Sequence, residues 1–349
     1  MILKNNSKIS LDKFIDRALY DKSKGYYIKN NPIGKEGDFI TSPNISVMFS
    51  EMIAIWLIAF WEKLGKPKKI NICELGPGDG SLCVTLLKVF SKFKNFNNIF
   101  KIYLLEKSKY LNKIQEKKIN SQKVKWIKNI NEIKNGPVIF VANEFFDALP
   151  IKQFIFKKNI WYERFVKYTK KEKIFFQDNK ISVKNLNELT KWNLTKNQKI
   201  VEFPIESIKY LQSISKVVKK YDGGMICFDY GYDGIKMSNS LQSVKKHKFS
   251  KFFTSIGNSD ITHHINLNLF LKIIKKFGLQ IEGITEQGIF LQRMGILKRA
   301  NILTKNTSFK SKADIYYRLK RLIDPNEMGK LFKVIFFKKK GIKFNLGFK

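Results

Sequence analysis

The 349-residue chain is 44% hydrophobic and carries 66 Lys and Arg against 29 Asp and Glu, a formal net charge of +37. That length can bury a sizeable core, as one large domain with insertions or as two. Cys73, Cys83 and Cys227 sit singly inside apolar runs, and His247, His263 and His264 offer no metal-ligand spacing, so neither disulfides nor a metal centre are expected and a reducing compartment is.

The opening "MILKNNSKISLDKF" lacks the apolar core of a signal peptide. The longest apolar run, "MIAIWLIAFW" (Met52 to Trp61), is too short to cross a bilayer and reads as a buried helix. A soluble cytoplasmic protein without membrane insertion is the expectation. The charge invites a nucleic-acid partner. Its lysines are spread along the whole chain, however, with no arginine stripe and no RNA-binding signature. A compositional bias toward Lys, Asn and Ile is therefore preferred over a nucleic-acid function, though salt-sensitive binding to polyanions is expected either way.

In chain order, "LDKFIDRALYD" reads as a short helix followed by "GYY". In "GDFITSP", Gly37 to Pro43, Ser42 can cap a helix with Pro43 at its first position. That helix is expected from about Asn44 to Leu64. "KKINICEL" is a first strand, "SLCVTLLKVF" a helix, "FKIYLLE" a second strand ending at Glu106, "SKYLNKIQEKKI" a helix, "KVKWI" a third strand and "GPVIFVAN" a fourth, ending at Asn143. Strands alternating with helices in this rhythm predict a parallel, doubly wound sheet. The alternating "IKQFIFKKNIWYERFVKY" predicts a β-hairpin turning at "KKN", with "KIFFQ" adding a strand. "QKIVEF" and a helix from about Ile205 return to the core, and "GGMICFDYGY" is a fifth strand. The polar segment Asp233 to Thr262 reads as a long active-site loop. A helix, the strand "LQIEGIT", two or three more helices and a final strand "FKVIFF", at or near an edge, complete the chain.

The first strand ends in "CELGPGDGSL", which places Glu74, Gly76, Gly78 and Gly80 in acid-x-Gly-x-Gly-x-Gly order. A nicotinamide fingerprint would be G-x-G-x-x-G, and a phosphate-binding loop would end in Gly-Lys-Ser/Thr. Neither fits. The spacing suits the loop that binds S-adenosylmethionine (SAM) in class I methyltransferases. Gly76, Pro77, Gly78 and Gly80 would bring bare backbone to the ligand. Glu74 would favour its positive ammonium and sulfonium, and Glu106 would accept from both ribose hydroxyls. Asp79 falls where the next helix begins, and a negative charge is favourable there.

Ligands of doubly wound sheets bind at the carboxyl ends of the strands. "NEFFDALP", directly after strand four, would therefore present Asn143, Glu144 and Asp147 to the transferred methyl group, with Phe145, Phe146 and Leu149 as packing. Asp38 and Thr41 of "GDFITSP" are further cofactor candidates, and Asp229 and Tyr230 end strand five at the same rim. Glu144, and Asp147 after it, are the first candidates to contact the group that accepts the methyl.

Taken together, "GDFITSPNISVMFSEMIAIW", "ELGPGDGSL", "NEFFDALPIKQF", "WYERFV", "FDYGY", "SLQSVKKHKF", "DITHHINL" and "DPNEMGKLFKV", from about Tyr26 to Val334, resemble the family of mitochondrial complex I assembly arginine methyltransferases and their bacterial, MidA-like relatives. The resemblance implies a seven-stranded Rossmann-like methyltransferase core with SAM as cofactor. It also implies a helical N-terminal cap and inserted elements, which with the alternating pattern gives a cap at 1–66, a discontinuous core at 67–150 and 198–340, and a β-rich insertion at 151–197. The implied acceptor is an arginine of a protein such as a complex I peripheral-arm subunit, in the cytoplasm for bacterial members and the mitochondrial matrix for eukaryotic ones, and a homodimer is allowed. Asp79 stands where arginine is common in the family. The rival readings are an RNA or DNA methyltransferase, although "NEFFDALP" lacks the paired prolines such enzymes carry after strand four, and a non-catalytic assembly factor with a methyltransferase fold.

Overall fold

The computed structural model describes residues 6–29, 32, 34, 37, 38, 40–171, 173–341 and 343–349; Phe39 of "GDFITSP" and the other remaining positions lie outside the described residues. Seven strands form the central sheet: β1 (Ile70–Leu75), β2 (Phe100–Leu105), β3 (Val124–Ile127), β4 (Val138–Asn143), β5 (Gly223–Tyr232), β6 (Gln280–Glu286) and β7 (Phe332–Lys338). Their order across the sheet is β6-β7-β5-β4-β1-β2-β3, and the two-residue strand Ile265–Asn266 pairs with the end of β5. β1 to β5 run parallel, whereas β7 is antiparallel to both β5 and β6. β7 thus lies one strand in from the edge, and β6 forms the edge. The order reverses between β1 and β4, so the crevice beyond their carboxyl ends is the place where this topology binds ligands.

Parallel strands are buried on both faces and read as unbroken apolar runs. All six residues of β1 are buried, and successive side chains enter opposite layers. Ile70 and Ile72 pack with helices α2 (Val47–Lys63) and α3 (Ser81–Phe90), and Cys73 and Leu75 with α5 (Ile205–Tyr221) and α6 (Leu267–Lys276). Two further helices frame the site, α1 (Leu11–Tyr20) and α4 (Lys109–Lys118). α2 is apolar around most of its circumference, with Met52, Trp56 and Phe60 all buried, as expected for a helix enclosed in a large core. Among the described residues no helix is long and apolar enough to cross a membrane.

The start of α2 differs from the expectation. Ser42–Ile45 forms a separate turn whose cap position, Thr41, makes no side-chain capping bond, and α2 begins after Ser46, whose hydroxyl accepts from the Met48 N–H at 3.2 Å. The helix needs a side-chain oxygen next to its orphan N–H groups, and Ser46 supplies it after the Pro43 turn has redirected the chain.

A second, antiparallel sheet holds Ser7–Ser10, Ile160–Tyr168, Lys152–Lys157 and Ile200–Phe203, with Ile174–Ile181 also paired to Ile160–Tyr168. Lys158 and Asn159 both take positive φ, 47° and 60°, the turn geometry that matches strand twist in a two-residue hairpin. "QKIVEF" was expected in the core, but its strand joins this second sheet, because its pairing partner is Lys152–Lys157. The segment Asp233 to Thr262 is not a bare loop: Gln242–Lys245, Lys248–Phe249 and Asp260–Thr262 form a small three-stranded sheet.

Candidate active site

One cavity of about 590 Å³ opens at the β1/β4 reversal and is lined by the glycine loop, the ends of β2, β4 and β5, and parts of α1, α4 and α5. Among the described residues eight carboxylates line it, from Asp16, Glu74, Asp79, Glu106, Glu144, Asp147, Glu206 and Asp260, against the three lysines Lys107, Lys109 and Lys128. In a chain of net charge +37 this is a local inversion of sign, and it suits positively charged ligands.

Gly76, Gly78 and Gly80 have φ of 61°, 55° and 80°, a region where a Cβ meets the following carbonyl. A Cβ on Gly76 would also stand 2.9 Å from Phe145 Cδ2. The loop is pinned at both ends, by Gly76 N–H to the Leu105 carbonyl at 3.0 Å and Gly80 N–H to the Pro77 carbonyl at 2.8 Å. Gly80 itself falls at the head of α3, outside the cavity wall. Asp79 accepts from Ser81 N–H (3.1 Å), Asn44 Nδ2 (3.0 Å) and Lys118 Nζ (2.7 Å). Lys118 is thus the cationic partner of Asp79, and Asn44, next after "GDFITSP", ties that segment to the loop.

Glu74 is almost fully buried, its Oε2 has no hydrogen-bond partner among the described residues, and burial followed by the charges of Asp79 and Glu106 pushes its carboxyl well above the ordinary range. Glu106 is pushed up to about 7 by burial, against the pull of the Ser108 N–H and Gln115. Gln115, buried on α4, was not foreseen. Its Nε2 donates to the Gly78 carbonyl at 2.7 Å and reaches Glu106 Oε2 at 3.5 Å, while its Oε1 accepts from Trp126 Nε1 at 2.9 Å. One amide thus joins the glycine loop, the end of β2 and β3. A polar residue in an amphipathic helix gives no sequence sign of this.

At the end of β4, Glu144 has φ 52°, an uncommon backbone state for a non-glycine residue and one that recurs at functional sites. Its Oε1 accepts from the Ser42 N–H (3.3 Å) and Asn143 Nδ2 (3.1 Å). Burial, then the neighbouring Asp147, pushes its carboxyl up to about 8. Asp147 is pushed up to about 6 by burial, although the Tyr230 hydroxyl donates to it. Asp147 Oδ1 and Asn143 Oδ1 are buried without partners among the described residues. Buried polar atoms are normally satisfied, so the orphaned oxygens of Glu74, Asn143 and Asp147, all in one cavity wall, mark where a ligand's donors or positive charge belong.

Of the remaining candidates, Asp38 and Asp229 fall outside the cavity wall, and Thr41 lies in it. Asp38 does not line the cavity; its carboxylate accepts from the Tyr26 hydroxyl (2.7 Å) and the Lys246 N–H (2.6 Å), joining the cap to the three-stranded sheet. Thr41 lines the cavity, with its hydroxyl bonded to Asn44 at 2.6 Å. Asp229 is spent on backbone: Oδ2 accepts from the N–H groups of Phe145, Phe146 and Asp147, and Oδ1 from Tyr230 N–H. It shapes the "NEFFDALP" loop instead of facing the cavity, whereas Tyr230 does face it. Asp260 and Tyr27, also unforeseen, line the same cavity; nothing local to "DITHHINL" or "GYY" marks them.

A sheet reversal with a glycine loop at positive φ, an acid at the tip of β2 and an acidic, SAM-sized cavity defines the site of a SAM-dependent methyltransferase. The comparisons agree: the profile of the family described as "Putative S-adenosyl-L-methionine-dependent methyltransferase" matches residues 52–285, and the chain belongs to that family. Relatives include the mitochondrial protein arginine methyltransferase NDUFAF7 of Xenopus laevis, 28% identical over 95% of this chain and 81% of that protein, and that of Homo sapiens, 26% identical over 95% and 80%. A Burkholderia thailandensis protein solved with S-adenosyl-homocysteine shares the fold at a TM-score of 0.85 and 22% identity, over 97% of this chain and 90% of that one.

Proposed function

We propose that this chain transfers methyl groups from SAM to the guanidinium of arginine in a protein. The observation that carries the reading is the acidic group Glu144–Asp147 at the end of β4, sharing one cavity with the glycine loop. The names of the NDUFAF7 relatives support it.

SAM, when bound, supplies the methyl group as a carbon activated by its sulfonium. The bare backbone at 76–78 and the carboxylates of Glu74 and Glu106 would hold it. Guanidinium is essentially always protonated and a poor nucleophile. Glu144, backed by Asp147, would pair with its fork, fix its orientation and draw positive charge toward the nitrogens that are not attacked. As the new N–C bond forms, the bond from that carbon to sulfur would break, the sulfur would leave with the bonding pair as neutral S-adenosyl-homocysteine, and an N–H proton would pass to this carboxylate group. Holding both partners in line is itself worth several powers of ten in rate, roughly 7 kcal/mol or more in well-oriented cases.

The acceptor that the family resemblance suggests is a complex I peripheral-arm subunit. We assign the chain to the cytoplasm, a compartment suited to its three buried free cysteines, and allow a homodimer. The test is Glu144→Gln with labelled SAM. The variant should bind SAM within twofold of wild type and lose transfer to peptide arginine by at least about a hundredfold. Undiminished transfer removes Glu144 from the reaction, and label appearing in RNA instead of protein overturns the acceptor class.

A further inference from the structure

Guanidinium presents five N–H donors in a rigid fork, and Glu144 cannot satisfy them alone. Its Oε1 is already taken by Ser42 and Asn143, so only Oε2 remains for a ligand. A buried cation left with unpaired donors is strongly disfavoured, so an acid beyond Glu144 and Asp147 is called for.

Asp260 has the same pattern as Glu144. It is buried, 4% exposed, and lines the same cavity. Its Oδ1 accepts from the Tyr27 hydroxyl (3.1 Å) and from Ile261 N–H (2.9 Å). No bond from a described residue reaches its Oδ2. Asp147 lies close enough for its charge to raise the proton affinity of both Asp260 and Glu144. The position is held firmly: Asp260–Thr262 pairs with Gln242–Lys245, and the next residue's N–H, from His263, donates to the Asp147 carbonyl at 3.0 Å. Tyr27 is buried at the start of the chain's second helical turn, stacked on Tyr20 and edge-on to Tyr26. The unpartnered Oδ1 of Asp147, 2% exposed and in the same wall, independently marks this half of the cavity as a place for a donor-rich cation.

We infer that Asp260, oriented by the Tyr27 hydroxyl, is a further acceptor-binding carboxylate beside Glu144 and Asp147, so that the guanidinium is held between acids at the end of the core sheet and an acid from the segment inserted after β5. This rests on the arginine reading and names a residue that reading did not include. The inserted segment, and not the nucleotide-binding core, then sets the choice of a planar, five-donor cation over the ammonium of lysine.

The test uses the full chain saturated with S-adenosyl-homocysteine. Acetyl-Gly-Arg-Gly-amide and its citrulline and lysine counterparts are titrated and followed by NMR. Wild type should bind the arginine peptide in preference to both. Asp260→Asn should weaken arginine binding by about tenfold or more, keep S-adenosyl-homocysteine affinity within twofold, and narrow the arginine-to-citrulline ratio. Tyr27→Phe, which keeps the ring and removes the donor, should weaken arginine binding by a smaller factor, and it carries the test if Asp260→Asn fails to fold. Arginine binding unchanged in a folded Asp260→Asn, or in Tyr27→Phe where that variant carries the test, overturns the inference and leaves the arginine reading standing. A wild type with no preference for arginine over citrulline overturns the reading itself.

Discussion

Gly76→Ala isolates the physical demand that the glycine loop makes. Two costs follow from the structure. The residue has φ 61°, and placing a Cβ in the left-handed region costs about 1–2 kcal/mol. The new Cβ would also lie 2.9 Å from Phe145 Cδ2. That ring cannot simply turn aside, because it packs edge-on to Phe146 at 5.2 Å and Tyr210 at 5.0 Å. Overpacking of this kind costs about 1–3 kcal/mol. The sum, about 2–5 kcal/mol, is large against a typical total stability of about 5–15 kcal/mol. Urea unfolding with and without SAM, together with calorimetric titration of SAM, reads both stability and affinity. The variant should be less stable by that amount and bind SAM at least about tenfold more weakly, since Phe145 and Gly76 both line the cavity and a shift of about 1.4 kcal/mol is tenfold. In a Phe145→Leu background the packing part should be recovered, leaving the backbone part. Stability within about 0.5 kcal/mol of wild type, with unchanged affinity, would refute the account of the loop.

Gln115→Leu removes the bond to the Gly78 carbonyl and strands the Trp126 N–H; it should destabilise by about 2–4 kcal/mol and weaken SAM binding, whereas Gln115→Glu should disfavour the loop by setting a second carboxylate beside Glu106, and both are read by thermal shift with and without SAM. The pH dependence follows from burial. Glu106, Asp260 and Glu144 are raised to about 7, 7 and 8, above unfolded values near 4, so between about pH 4 and 8 the folded chain holds protons that the unfolded chain has released. These groups therefore favour folding at low pH, and their contribution fades as pH rises, by up to about 1.4 kcal/mol per unit for each group until its folded value is passed. A bound cation offsets this loss, so the stabilisation given by SAM should grow from pH 6 to pH 8; a SAM-induced shift that is flat or falling over that range would contradict the acidic-pocket account.

The fold was legible in the chain order because its signals are local. Apolar runs such as Val138–Asn143 are buried on both faces wherever they stand, and the glycines at 76, 78 and 80 announce a backbone that only they adopt without strain. Glu106 and Glu144 could be placed from sequence because each ends a strand, and strand ends in this topology face the ligand. The α2 cap was misplaced by four residues because both Ser42 and Ser46 satisfy the local rule and only the path after Pro43 selects between them. Ile200–Phe203 was assigned to the wrong sheet because an apolar strand carries no mark of its partner. Asp229 has the composition of a site residue, but three N–H groups from residues 145–147 claim it.

The sequence by itself determined the class of ligand: a loop without side chains, flanked by acids and lacking a lysine, suits a cationic, phosphate-free cofactor whatever surrounds it. Tertiary structure alone decided which polar groups meet there. Gln115 reaches Gly78 across 37 residues and Tyr27 reaches Asp260 across 233. Such contacts arise from how layers pack and not from any pattern along the chain, so the grouping of these side chains and the acidic lining of the cavity within a strongly basic protein became visible only once the chain was folded.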